Sequence, residues 1–136
     1  MRAGMVIAVV AAAAGLAACV PQTEVSGRSD FVALCSGCHG ADAKGGTATA
    51  ALGKAPADLT RIAARNGGTF DYTAVMSRID GYTRNDAGQV MPDFGMLLEG
   101  ESVLVDLGDG TLTPTPARLF GLAQYLASIQ EVEGRP

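Results

Sequence analysis

Cys35-Ser36-Gly37-Cys38-His39 constrains this chain more than any other stretch of its 136 residues. Two thiols three positions apart face the same way on one helical turn, and the imidazole follows directly behind the second. Three chemistries use such a set. A dithiol redox pair should open a helix inside a βαβ pattern, which the chain lacks, and a structural zinc site needs a second Cys or His pair, which it also lacks. The remaining chemistry is covalent attachment of a c-type haem: Cys35 and Cys38 each add to one vinyl group of a single porphyrin, and His39 faces the iron.

The third cysteine is Cys19, directly after residues 1–18. That stretch reads as an export signal, with Arg2 as a positive start, an apolar run over residues 5–16 and the small residues Ala17 and Ala18 at its end. The run is short for a membrane span. Leu16-Ala17-Ala18-Cys19 resembles the lipobox of bacterial lipoproteins, which implies lipidation of Cys19 and a mature chain that begins there; the alternative is an ordinary signal removed a few residues later. Bacterial c-type haem is ligated outside the cytoplasmic membrane, so both signals indicate the periplasmic side of the cell envelope. The formal charge is −4, and losing Arg2 with the signal leaves nine basic against fourteen acidic side chains, or −5. Nucleic-acid binding needs a basic stripe, which this composition does not offer. An acidic carrier is steered to basic or neutral partner surfaces.

Residues 19–28 are polar, hold Pro21 and Gly27 and show no amphipathic period, so they read as the lipidated end and a tether. Extended at about 3.5 Å per residue, residues 20–27 reach about 28 Å. One domain follows over residues 29–131, then a short tail over 132–136. The expected helices cover residues 29–38, 58–65, 71–80 and a last helix with Thr115 as cap and Pro116 at its first position. Leu119, Leu122, Ala123, Leu126 and Ile129 give that helix an apolar stripe. Residues 40–53 and 85–100 read as loops, and residues 102–110 alternate so that a short strand or hairpin fits them.

These features together resemble a class I c-type cytochrome, an all-α fold built round one covalent haem c. The resemblance covers most of residues 27–130. It implies that Gly27 and Phe31 meet Leu122 and Tyr125 where the first and last helices cross. It also implies a second axial ligand in a later loop. With His39 the only histidine, a second histidine of this chain is excluded, which leaves a methionine or an open or water-bound site; Met91, followed by Pro92 and 52 residues beyond His39, is similar to the family's Met-Pro segment. Met96 is its rival, whereas Met76 lies mid-helix as a packing residue. Thioether ligation favours ferrous iron and raises the reduction potential. The family also binds the other His39 nitrogen with a proline carbonyl, and Pro56 in Ala55-Pro56-Ala57-Asp58-Leu59 is the nearest match, departing by one inserted alanine and by Ala55 in place of glycine. Tyr72, Tyr82, Arg78 and Arg84 are candidates for haem propionates or for plain surface residues.

The function so implied is a membrane-anchored, periplasm-facing single-electron carrier, not an enzyme, that docks with redox partner proteins. The alternatives are a haem subunit of a membrane oxidoreductase complex, or a haem enzyme or gas sensor with an open sixth site.

Overall fold

The structure is a computed structural model that describes residues 22–46, 48–83 and 90–131. The signal segment, Cys19, Arg84 and the tail over 132–136 lie outside those residues. Among the described residues no helix is long and apolar enough to cross a membrane.

The fold is mainly helical with one two-stranded sheet. Helix α1 spans Gln22–Leu34 and α2 spans Ser36–His39, with Cys35 as the turn between them. Short α3 (Thr49–Leu52) falls in the stretch read as loop, and a 3₁₀ turn at Leu59–Arg61 leads into α4 (Ile62–Arg65). Helix α5 spans Tyr72–Asp80 and α6 Gly95–Leu98. Strands β1 (Ser102–Asp106) and β2 (Leu112–Pro116) pair antiparallel before α7 (Ala117–Ser128).

Helix α1 begins at Gln22, inside the segment read as tether. The reason is its mode of docking. A Cβ placed on Gly27 would lie 2.0 Å from the Gly121 carbonyl oxygen, so α1 meets α7 backbone to backbone. A helix that packs through glycine leaves no periodic apolar stripe to read. Phe31 and Leu122 are fully buried in the core beside this contact, and the Phe31 and Tyr125 rings lie 5.3 Å apart. Burial of each such side chain contributes about 2 kcal/mol. Asp30, also buried, accepts from Nη2 and Nε of Arg118 at 2.5 and 3.2 Å, and Arg118 Nη1 donates to the Leu97 carbonyl at 2.7 Å, tying α1, α6 and α7 together.

Where caps were legible the helices follow them. Asp58 accepts from the Thr60 amide at 2.9 Å, and the Thr60 hydroxyl and amide together hold its carboxyl below the usual range. Asp71 accepts from the Ala74 amide at 2.9 Å, and Gly81 at φ 95° ends α5 in the left-handed region. Helix α7 starts one residue later than expected: Thr115 and Pro116 close β2, and Pro116 is the cap residue. The expected strand over 102–110 is β1 and its turn, and its partner is the Leu-Thr-Pro-Thr-Pro segment. The far end of α7 is clamped by Gln130, whose side chain accepts from the Ala63 amide at 2.8 Å and donates to the Leu59 and Leu126 carbonyls at 2.8 and 2.7 Å.

Candidate functional site

Helix α1 runs almost unbroken into the Cys-His segment. The Cys35 amide donates to the Phe31 carbonyl at 2.9 Å, and the amides of Cys38 and His39 both donate back to the Cys35 carbonyl at 3.1 and 2.9 Å. That single turn carries all three reactive side chains, and Gly40 at φ 80° stops it. Cys35 is buried against the core, Cys38 is exposed and neither is in a disulfide.

Burial raises the Cys35 thiol to about 11, helped by the negative charge of Asp30 and by Cys38. At pH 8 a thiol at about 11 is ionised in roughly one molecule per thousand. Redox dithiols work through a thiolate whose pKa is lowered, the opposite of what surrounds Cys35. Alkylation of the haem-free chain at pH 8 should therefore label Cys38 well before Cys35, as peptide mass spectrometry would show; equal labelling would contradict this environment. The raised value also fixes a pH dependence. The folded chain holds the Cys35 proton more tightly than the unfolded one, so this contribution to stability is complete below about pH 9 and falls as pH rises toward 11.

His39 is held from the other side. Its Nδ1 lies 2.9 Å from the Ala57 carbonyl oxygen. A carbonyl can only accept, so Nδ1 carries a proton and donates to it, and in the neutral ring Nε2 is the nitrogen with a lone pair to offer. The expected partner was Pro56, and the structure corrects it by one residue. The Pro56 carbonyl faces Gly45 instead, where a Cβ would come within 2.3 Å of its oxygen. The Gly45 amide closes the loop that follows the histidine by donating to the His39 carbonyl at 2.7 Å, and the Leu59 amide lays the 55–59 segment against that loop by donating to the Ala43 carbonyl at 2.8 Å. The acceptor is Ala57, one residue beyond the proline.

The three candidate methionines fall in different environments. Met76 is buried on α5 with 6% of its surface exposed, and Met96 projects to solvent with 83% exposed. Met91 is half-buried and packs on the core cluster. Its loop is seated on the end of α5 by three close contacts: the Phe94 amide donates to the Ile79 carbonyl at 2.9 Å, a Cβ on Gly81 would lie 2.3 Å from the Asp93 Cβ, and a Cβ on Gly95 would lie 2.5 Å from Asp80 Oδ1. Sequence reasoning missed this seat, and only the two glycines hinted at it. Tyr72 packs edge-on to Phe70 at 5.0 Å and tilted to Phe120 at 6.0 Å, so its ring belongs to an aromatic cluster, while Tyr82 is exposed. Arg78 is exposed on α5.

Among the described residues no group of three or more His, Cys, Asp and Glu side chains is placed to hold a bare metal ion. Comparison with protein-family models, with curated proteins and with solved structures finds no match to this chain.

Proposed function

We propose that this chain is a monohaem c-type cytochrome that carries single electrons, anchored through Cys19 on the periplasmic side of a bacterial membrane. The observation that carries the reading is the arrangement of one helical turn: two thiols outside any disulfide, followed by a histidine whose Nδ1 is engaged by the Ala57 carbonyl. That is the donor set a covalent haem uses. A haem-ligating histidine binds through one nitrogen while the other donates to a fixed acceptor, which orients the ring and raises its basicity. Cys35 and Cys38 would hold the haem by thioether bonds, His39 Nε2 would be one axial ligand and Met91 the other. The haem, when bound, supplies an iron that gains and loses one electron.

The protein's own part is to hold these ligands still. The Ala57 carbonyl fixes the histidine ring, Gly81 and Gly95 seat the Met91 loop, and the Asp30–Arg118 pair ties α1 to α7 beside Cys35. An electron carrier gains from such rigidity because small rearrangement between oxidation states keeps transfer fast. A dedicated subunit of an oxidoreductase complex would use the same chemistry.

Expression in a bacterium that matures c-type cytochromes tests the proposal. The denatured protein band should keep a haem stain, and the pyridine haemochrome should be of the c type. Cys35→Ala combined with Cys38→Ala should lose the stain. A colourless wild-type band would overturn the reading.

A further inference from the structure

The β1–β2 hairpin has two unlike faces. In its register Ser102 pairs with Pro116, Leu104 with Pro114 and Asp106 with Leu112, and side chains of directly paired residues share a face. Val105 and Thr115 lie on the inner face and are buried. The outer face carries Leu104 and Leu112, 64% and 62% exposed, with Pro114 opposite Leu104. Leu104 and Leu112 are diagonal cross-strand neighbours on this face, with Pro114 directly opposite Leu104 and next to Leu112 on the same face of β2, so the three apolar residues are grouped, unlike a leucine exposed alone.

Charge distinguishes this patch from its surroundings. Residues 90–117 hold Asp93, Glu99, Glu101, Asp106 and Asp109 and no Lys, Arg or His, a net −5 against −4 for the whole chain, so the rest sums to +1. Glu99 and Glu101 stand just before the base of the hairpin and Asp106 and Asp109 at its tip, all exposed. Proline also limits how a partner could engage the β2 edge. Pro114 and Pro116 have no N–H to offer an added strand, so recognition there falls to side chains.

We infer that the outer hairpin face, Leu104, Leu112 and Pro114 within their carboxylate rim, is a docking surface for a protein whose contact patch is apolar at its centre and cationic at its edge. A second copy of the chain would set the four rim carboxylates against four, and an anionic lipid surface would be repelled in the same way. The inference deepens the electron-carrier reading by placing the partner contact, yet it rests on the hairpin alone.

The probe is a synthetic helical peptide with a leucine stripe flanked by lysines, with a glutamate-flanked peptide as its counterpart. Each is titrated into the full chain at low salt, about 20 mM, and near-physiological salt, about 150 mM. The lysine peptide should bind, weaken severalfold with salt and lose about tenfold in affinity on Leu104→Ser with Leu112→Ser. Glu99→Gln with Glu101→Gln should flatten the salt dependence, and Val32→Ser on α1 should change nothing. Binding that ignores the leucine and glutamate variants overturns the inference, as does equal binding of the glutamate peptide. So would a dimer in sedimentation that the leucine variant dissolves, or capture of anionic vesicles through the same leucines. A chain that binds the peptide but carries no haem would overturn the electron-carrier reading and leave this one standing.

Discussion

Gly27→Ala should cost the fold about 3 kcal/mol, the upper end of what overpacking usually costs, because the added methyl meets main chain rather than a side chain that can turn aside. The Gly121 carbonyl oxygen lies 2.0 Å from where that Cβ would stand, and the carbonyl carbon 2.5 Å. No rotamer relieves such a contact; α1 and α7 must separate, and the packing of Phe31 and Leu122 loosens with them. For a domain of this size the loss corresponds to a fall in melting temperature of about 10–20 °C. Gly37→Ala is the internal control, since nothing lies within 4 Å of its Cβ position and it sits in helix. That change should be neutral or slightly stabilising. Equal melting of Gly27→Ala and the wild type would mean that the two helices do not approach as described.

Met91→Ala should change the holoprotein most. If its sulfur completes the coordination of the iron, the variant should lose the near-infrared thioether–iron band of the oxidised state and bind carbon monoxide when reduced. Its reduction potential should fall by part of the roughly 0.8 V that axial ligands can span. Met96→Leu should leave all three properties alone, since that side chain is 83% exposed. Met76→Leu, a near-isosteric change in the core, should cost less than about 1.5 kcal/mol and leave the spectrum unchanged. Loss of the band on Met96→Leu would move the assignment to the rival methionine. A wild type that lacks the band and binds carbon monoxide freely would replace the carrier with a sensing or enzymatic haem.

Local chemistry was legible in the sequence, and through-space approach was legible only where the family resemblance supplied it, as for Gly27 and Phe31 against Leu122 and Tyr125. Asp71 and Gly81 announce both ends of α5 because a cap and a left-handed glycine act within a few residues of where they stand. The Cys35, Cys38 and His39 set was legible for the same reason: one turn of helix brings the three together. Ala57 rather than Pro56 meets the ring because neighbouring carbonyls in the 55–59 segment face different ways, Pro56 toward Gly45 and Ala57 toward His39, and spacing alone does not report that. Strand β2 hid behind Thr115-Pro116, a pair that suits a helix start as well as a strand end. Short helices α3 and α6 have only four residues each, too few to show a period. The seat of the Met91 loop depends on Gly81 and Gly95 meeting Asp93 and Asp80 across space, and no pattern along the chain encodes it.

The meeting of Gly27 with Gly121 also sets an order of events. These residues are 94 positions apart, so joining them closes most of the chain into one loop, at an entropic cost of about 4 kcal/mol from its length alone. Until the last helix has been synthesised, α1 has no partner for its glycine surface. An exported chain that crosses a membrane N-terminus first would stay open through that passage and close only when its end arrives. Contacts of this span make folding slow. Truncation before α7 should therefore leave α1 without a docked state, rather than a smaller version of the same fold.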